Sequence, residues 1–324
     1  MGGDHAPQQV VAGALEAAVD GIQPILFGPP GLDTGGLEHV ETTQVLGMDE
    51  KPAEAVRAKP DSSLVAACRA VGRGDADAVV SAGNTGAMLA ACLLELRRLP
   101  AVARPAIAVV IPAKHGPSVL IDSGANADAR PEHLLQFAHM GAVFAEEVLD
   151  IRHPEVRLLS IGEEPEKGNQ LTLEAHALLA ADESLRFGGN TESRGLLLGA
   201  ADVVVCDGFT GNVALKLLEG TIATVLDALR EEIVSSRRGR VGGLLIRPAA
   251  RGMRKRLDPD TYGGAYLLGL RGLAVIAHGN SSPRAIANAI RLAARGVEHD
   301  VLGRLAQRLP ERVLASARSE PPGK

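Results

Sequence analysis

Two stretches of the chain combine glycine, threonine and asparagine in a similar order. The first is Gly83-Asn84-Thr85-Gly86, and the second is Asp207-Gly208-Phe209-Thr210-Gly211-Asn212. Each follows a short apolar run typical of a buried strand and precedes residues with helical spacing. Free backbone N–H groups at the start of a helix suit phosphate or another anion. Ordinary turns between strands and helices have the same pattern, so the residues alone leave both interpretations open.

Other polar residues stand where further predicted strands end, namely Gly3, Asp4, His5, Asn126, Lys167 and His278. Each of them could also be a turn former or a helix cap. Lys167 lies in a glycine-flanked turn, where a compact ammonium group would suit an anion. His278 could be a general acid or a structural turn histidine. Cys206 has no adjacent base, which favours a small buried residue over a nucleophile.

Composition and missing motifs exclude several classes of protein. The 324 residues are 46% hydrophobic but only 2% aromatic, and the net charge is −5. Few aromatic rings for base stacking and a negative charge disfavour nucleic acid as a partner. There is no G-x-G-x-x-G, no P-loop, no H-E-x-x-H and no Cys/His cluster, so we predict no metal site. Three cysteines without C-x-x-C spacing fit a reducing, cytoplasmic setting.

Strand-like and helix-like segments alternate along the chain. This alternation predicts an α/β fold with a mainly parallel sheet, which we interpret as a single catalytic domain over residues 1–324. We predict a helix over 131–149, a buried strand over 203–205, and a helix from Asn212 to about Ser235. If the two glycine turns follow parallel strands, they would converge on one crevice at the carboxyl ends of those strands.

The segment 236–261 differs from the rest of the chain. Between Arg237 and Arg256 it holds eight cationic residues and no acidic one, with apolar residues between them. This mixture predicts a protruding pair of short surface helices that rest on anionic lipid, broken by Pro248 and the glycines. A solvated basic arm or a dimer contact is the alternative interpretation.

Several long motifs, in a fixed order along nearly the whole chain, resemble those of one family. They are Met1-Gly2-Gly3-Asp4-His5-Ala6-Pro7, Ser81-Ala82-Gly83-Asn84-Thr85-Gly86, Gly124-Ala125-Asn126, Pro131-Glu132-His133-Leu134-Leu135-Gln136-Phe137-Ala138, Ile161-Gly162-Glu163-Glu164, Lys167-Gly168-Asn169, Val205-Cys206-Asp207-Gly208-Phe209-Thr210-Gly211-Asn212-Val213 and Tyr262-Gly263-Gly264-Ala265. The chain resembles the bacterial acyl-acyl-carrier-protein:phosphate acyltransferases of phospholipid synthesis, the PlsX family. Two motifs depart from the family's usual pattern: Ser123 replaces a usual valine, and Asn280 is an extra residue after His278.

The resemblance implies a fold, a reaction and partners. The fold would have three α/β/α layers, similar to that of phosphate acetyltransferases and isopropylmalate dehydrogenases. The reaction would move a long-chain acyl group from acyl carrier protein to inorganic phosphate, without an organic cofactor. We expect a cytoplasmic homodimer that associates peripherally with the membrane. A membrane glycerol-3-phosphate acyltransferase would then use the acyl phosphate.

Within this reaction, the candidate residues take distinct parts. Lys167 and Asn212 would donate to phosphate and to the oxyanion. Asn84 and the N–H groups of Thr85 and Gly86 would form a second anion site, and His5 or His278 could give acid assistance. The remaining candidates for binding phosphate or substrate are Gly3, Asp4, Gly83, Asn126, Asp207, Gly208 and Gly211.

Two other functions stay compatible with the residues. One is a phosphate acetyltransferase that uses acetyl-coenzyme A, which would need the same phosphate site. The other is an adaptor at the membrane surface with a vestigial site. The two enzymes differ in the thioester that they accept, and the adaptor would form no acyl phosphate.

The first residues resemble a loop that follows a strand. Family members usually carry a short apolar strand and Asp-Ala ahead of Met-Gly-Gly-Asp. Omitting a central strand would leave backbone groups of its neighbours unpaired, at about 1–3 kcal/mol each. We therefore expect a short Val/Ile-rich strand upstream of Met1, unless a neighbouring strand or a partner chain fills its place.

Overall fold

The structure is a computed structural model that describes residues 2–100, 102–257, 261 and 263–309. The strands of this part are β1 (Ile25–Gly28), β2 (Glu38–Glu41), β3 (Ala78–Ser81), β4 (Ala106–Ala113), β5 (Gly116–Ile121), β6 (Glu155–Leu159), β7 (Arg186–Thr191), β8 (Val203–Val205), β9 (Ala265–Leu268) and β10 (Leu273–Ile276). The helices are α1 (Gln8–Ala18), α2 (Pro52–Ala58), α3 (Ser63–Arg73), α4 (Thr85–Glu95), α5 (Pro131–Leu149), α6 (Gln170–Ala180), α7 (Gly195–Leu198), α8 (Gly208–Ser235), α9 (Arg237–Leu257), α10 (Pro283–Glu298) and α11 (Val301–Arg308).

Eight strands form one sheet in the order β3-β10-β9-β4-β5-β8-β6-β7. Most of the pairings between neighbouring strands are parallel, so the predicted α/β class with a mainly parallel sheet is confirmed. Strands β1 and β2 pair in parallel as a separate sheet, and β3 lies at the edge of the large one. The strand expected ahead of Met1 stays a prediction.

Helices cover both faces of the large sheet. On one face, Phe137 and Phe144 of α5 and Ile286 of α10 belong to a single large core cluster. On the other face, the core divides in two. Ile107 of β4 lies in a cluster with helices α3 and α4, and Ile111 of the same strand lies in a cluster with α8. The sheet is therefore the middle of three layers, as predicted.

The second face is left partly open between α4 and α8. Val109, midway along β4, packs at the border of both core clusters and stays only half-buried. Ala265 of β9 pairs with Val109 and is also half-buried. We call this strip over Val109 and Ala265, flanked by α4 and α8, the central groove.

The predicted convergence of the two glycine turns is found, but the strands that they follow are not parallel to each other. Strands β10 and β9, β9 and β4, and β4 and β5 all pair antiparallel, so β3 and β8 run in opposite directions. The register places the end of β3 level with Val109 of β4 and the end of β8 level with Ala108. The turn before α4 and the turn before α8 therefore face each other across the central groove, near the middle of the sheet.

The predicted helix over 131–149 and strand over 203–205 have the predicted bounds. Three short elements were missed: β2, α7 and β9. The last matters most, because β9 pairs with both β4 and β10 near the middle of the sheet. Its four residues directly follow two glycines, and that sequence was interpreted as a turn alone.

Within the segment 236–261, residues 237–257 form one helix rather than two short ones, so the predicted break at Pro248 was wrong. Helix α9 runs continuously through Pro248 to Leu257. Ile233, near the end of α8, packs so closely on Gly239 and Gly243 that a Cβ at either position would collide with it. The glycines thus allow α9 to fold back on α8 instead of ending the helix. Residues 258–260, within the predicted segment, lie outside the described part.

The first turn of α8 packs directly on the loop after β5. A Cβ built on Gly211 would lie 1.9 Å from the backbone oxygen of Asp122, and one on Gly208 would lie 2.6 Å from that of Asn126. No side chain fits in these contacts. The glycines of this turn are therefore required by packing between two backbones of the protein, whatever ligand the turn also holds.

We predict that Gly211→Ala lowers the free energy of unfolding by about 2–3 kcal/mol, because the helix must move away from Asp122. The matched control is Gly220→Ala on the same helix, where a Cβ meets nothing within 4 Å. That substitution should raise stability by about 0.5–1 kcal/mol, since alanine costs less chain entropy in a helix. Urea unfolding of both variants measures the difference, and equal effects would contradict the packing argument.

Candidate active site

A buried carboxylate organises the loop that follows β5. Oδ1 of Asp122 accepts hydrogen bonds from the backbone N–H groups of Ile107, Gly124 and Ala125, at 2.9, 3.1 and 2.9 Å. Its Oδ2 accepts from the backbone and the side chain of Asn126, at 2.7 and 2.8 Å. Asp122 is fully buried. Burial raises the pKa of this carboxyl group, and the hydrogen bonds from Ile107, Ala125 and Asn126 act in the opposite direction.

The amide of Asn126 is engaged inside the protein. Its Nδ2 donates to the backbone oxygen of Pro105 at 2.7 Å as well as to Asp122. The backbone oxygen of Asn126 accepts from the N–H of Gly208 at 2.8 Å. Both N–H donors of this side chain are therefore occupied, and Asn126 acts here as a link between the β5 loop and α8.

Asp207 caps the start of α8. Its Oδ1 accepts from the backbone N–H of Thr210 at 2.9 Å, and its Oδ2 accepts from the Thr210 hydroxyl at 2.7 Å. The carboxylate thus satisfies a free N–H at the helix start, as expected of an N-cap residue. Together with the packing of Gly208 and Gly211, this accounts structurally for three of the predicted binding residues.

Two predicted residues near the carboxyl ends of β6 and β8 are open to a ligand. Asn212 is exposed, and its side chain lies against Gly124. Lys167 is exposed in the loop after β6, where its backbone oxygen accepts from the Ser160 hydroxyl at 2.8 Å. Its ammonium group makes no hydrogen bond or ion pair within the described residues. Because β6 and β8 are parallel neighbours, these two loops leave the sheet side by side.

The other candidates gather at the carboxyl ends of β3 and β10. The N–H of Asp4 donates to the backbone oxygen of Gly279 at 2.7 Å, and a Cβ on Gly3 would approach Ala82 and Gly279. The loops around residues 3, 83 and 279 are therefore in contact. Asp4 and His5 are exposed there.

Asn84 is used mainly to cap α4. Its Oδ1 accepts from the N–H of Ala87 at 3.0 Å, and its Nδ2 donates to the backbone oxygen of Met48 at 2.9 Å. Thr85 is exposed, whereas Gly86 packs on Pro52 at the start of α2. The backbone donors of this helix start stay on the surface, but the asparagine side chain has structural partners.

Two residues of α8 that the sequence analysis did not select, Lys216 and Glu219, connect this helix to the loop after β10. Nε2 of His278 lies 3.3 Å from Oε1 of Glu219 on α8, and Nζ of Lys216 lies 2.9 Å from its Oε2. Burial raises the pKa of Glu219, but the hydrogen bonds from His278 and Lys216 outweigh it and hold the pKa below the usual value. Asn212, Lys216 and Glu219 have i, i+4, i+7 spacing, which places them on one side of α8. That spacing was the available signal for this cluster.

Cys206 is buried, with its Sγ 3.5 Å from the backbone oxygen of Asp122. Burial raises the pKa of the thiol well above its usual value, so it stays protonated. The interpretation as a small buried residue is therefore supported. Across the described residues, no three histidine, cysteine or acidic side chains gather as a metal site. Nor does any helix in that part combine the length and the apolar character needed to cross a membrane.

Comparison with known proteins gives a consistent assignment. A family model described as "Fatty acid synthesis protein" matches residues 1–304. The chain belongs to this family. Phosphate acyltransferase from Heliobacterium modesticaldum is 46% identical over 97% of both chains. Phosphate acyltransferase from Moorella thermoacetica is 45% identical over 98% of both.

Among solved structures, this member of the family is similar in fold to phosphotransacylases. The branched-chain phosphotransacylase from Enterococcus faecalis superposes with a TM-score of 0.58 over 92% of this chain and 97% of the other, at 17% identity. A phosphotransacetylase from Streptococcus pyogenes gives 0.59 over 90% and 92%, also at 17% identity. These matches support the predicted likeness of the fold to phosphate acetyltransferases.

We predict that Asp122→Asn lowers the free energy of unfolding by about 2–4 kcal/mol. The new amide group would point N–H donors at backbone N–H donors that the carboxylate now satisfies. Asp227→Asn, at an exposed position of α8, is the control and should change little. Denaturant unfolding monitored by circular dichroism gives both values. A loss below about 0.5 kcal/mol in Asp122→Asn would refute this role of the carboxylate.

Proposed function

We propose that the protein transfers a long-chain acyl group from the thioester of acyl carrier protein to inorganic phosphate, which yields an acyl phosphate for phospholipid synthesis. Family membership and the names of its relatives make the chain an acyltransferase with phosphate as acceptor. The carrier protein as donor and the long chain are the finer parts of the proposal. They rest on the motifs that resemble the family.

The observation that carries the proposal is the pair Lys167 and Asn212. They follow the adjacent strands β6 and β8, and both are exposed, whereas Asn126 and Asp207 beside them have internal partners. An ammonium group and an amide offer several N–H donors to phosphate oxygens and to a carbonyl oxygen that becomes negative. The fixed loops beneath them keep these donors in place during the reaction.

The reaction needs little else from the protein. A phosphate oxygen attacks the thioester carbonyl, the C–S bond breaks, and the sulfur leaves with the bonding electron pair as a thiolate that takes up a proton. Phosphate is itself the nucleophile, which agrees with Cys206 being buried and protonated. The contribution of the site is to hold phosphate against the carbonyl and to stabilise the oxyanion.

The rival enzyme is a phosphate acetyltransferase that acts on acetyl-coenzyme A. The solved phosphotransacetylase structures favour it only through the fold. The deciding assay offers purified protein and phosphate either long-chain acyl carrier protein or acetyl-coenzyme A, and measures acyl phosphate. Faster reaction with the carrier thioester supports the proposal, and faster reaction with acetyl-coenzyme A overturns it. No acyl phosphate from either donor would favour an adaptor with a vestigial site.

We predict that Lys167→Ala and Asn212→Ala each lower acyl phosphate formation by about a hundredfold, the usual cost of losing one preorganised donor. Because both side chains are exposed, the melting temperature should stay close to that of the unsubstituted protein. Lys114→Ala, at another exposed lysine after β4, is the control for removing a positive charge. Near-normal turnover in both site variants would place the reaction elsewhere.

We also propose that helix α9, with the end of α8, rests on an anionic membrane surface. Apolar side chains of α9 are strongly exposed: Leu244 by 68%, Leu245 by 77% and Val241 by 65%. Val225 and Val234 of α8 are about half exposed. Apolar side chains among many arginines suit the boundary between lipid headgroups and acyl chains. The protein would thus be cytoplasmic and peripherally attached, near the membrane glycerol-3-phosphate acyltransferase that we propose as its partner.

A homodimer is the other structure that could cover this surface, and we propose that the protein forms one. Two copies could bury the same apolar side chains of α9 against each other, which would leave fewer of them for lipid. Light scattering distinguishes the two uses of the surface, because it gives the number of chains per particle in the absence of lipid.

We predict that replacing Leu244, Leu245 and Ile246 together with serine lowers binding to anionic vesicles by at least tenfold, because about 0.8 kcal/mol is lost per buried CH₂. The cationic charge of α9 is unchanged in this variant. Leu93 and Leu94 of α4, which are also exposed, give the matched control when both become serine. Unchanged co-sedimentation, or a change from dimer to monomer with binding intact, would contradict the membrane role.

A further inference from the structure

We propose that Glu219 is a positioning residue for His278, which it ties to the side of α8 that carries Asn212. This inference deepens the proposed acyl transfer and rests on it. Glu219 touches no substrate in this view. It acts through His278, which lies in the loop after β10.

The contact joins elements that are distant in the sheet. His278 follows β10, whereas α8 follows β8, and three strands separate β10 from β8. The hydrogen bond between Nε2 of His278 and Oε1 of Glu219 therefore links the loop after β10 to α8. The other carboxylate oxygen binds the Lys216 ammonium group, so two N–H donors hold the carboxylate from both sides.

Glu219 lies on the same side of α8 as Asn212. Seven residues separate them, which is about two helical turns and about 10 Å along the axis. Lys216 lies between them at the same helical spacing. A phosphate and a thioester carbonyl held by Asn212 would fit within this span. His278 is thereby placed at the end of the span remote from Asn212.

The geometry also fixes what His278 has left for chemistry. Nε2 faces a carboxylate and carries its proton toward it, so that Nδ1 is the remaining ring nitrogen. The side chain is 44% exposed, which leaves it accessible. When the imidazole is protonated, its Nδ1–H can donate to the leaving group. In the transfer step, this proton passes to the sulfur as the C–S bond breaks, and the ring becomes neutral.

Loss of Glu219 should therefore affect turnover more than phosphate binding. We expect Glu219→Ala to lower kcat about tenfold or more, with KM for phosphate unchanged within about twofold. Glu219→Gln keeps an acceptor but loses the charge, and serves as the milder variant if Glu219→Ala is unstable. Glu231→Gln, at an exposed glutamate of the same helix, is the control and should keep full activity.

A double-mutant cycle separates positioning from general loss of structure. If Glu219 acts through His278, Glu219→Ala should cost almost nothing once His278→Ala is present. Multiplicative losses, or full activity in both Glu219 variants, would overturn the inference. In these outcomes the unsubstituted protein still forms acyl phosphate, so the proposed function survives.

A second measurement needs no activity. The charged groups around His278 are Glu219 and Lys216 on α8, and Asp4, which lies against Gly279. In Glu219→Ala, Nε2 of His278 loses its acceptor, so the 15N NMR signals of its ring should shift, whereas Glu231→Gln should leave them unchanged. Unchanged ring signals in Glu219→Ala would refute the contact even if the unsubstituted protein transferred no acyl group.

Discussion

The carboxylate of Asp122 is the interaction on which the candidate site depends. It has no exposure to water, and it holds four backbone N–H groups and one amide within a single short loop and the start of β4. The backbone oxygen of the same residue meets Gly211 at the first turn of α8. The position of Asn212 is thus set by a buried network rather than by a flexible loop. A donor held this way needs little reorganisation when charge develops on a substrate.

The sequence predicts this protein best where local rules agree with the fold. Helix α5 begins with a proline at its first position and carries apolar residues at helical spacing, and its predicted bounds match. A helix after β8 was predicted, but α8 begins at Gly208 rather than at Asn212, because Asp207 caps it and the glycines belong to its first turn. Lys167 was selected from its glycine-flanked turn, and it is one of the two predicted site residues left exposed beside β6 and β8.

The rest depends on contacts between distant parts of the chain. No local pattern shows that β9 inserts between β10 and β4, and this insertion decides the direction of β3 relative to β8. Glu219 looks like an ordinary surface acid until β10 brings His278 to it. Asn126 looks like a polar turn residue, and only its contacts with Pro105 and Asp122 show an interior role. Pro248 predicts a break, but packing of α9 on α8 outweighs this local cost.

Strand β3 with α4 and strand β8 with α8 run in opposite directions, yet both helices lie on the same face of the sheet. A two-fold axis perpendicular to the sheet would relate two such units, and their sequences are alike from Ala76 to Ala90 and from Ala201 to Leu215. At matching positions, however, α4 has Ala87, Ala91 and Leu94 where α8 has Asn212, Lys216 and Glu219. In α4, Ala87 and Ala91 are buried beneath α2 and α3, whereas the α8 counterpart presents the polar residues that we propose for the reaction.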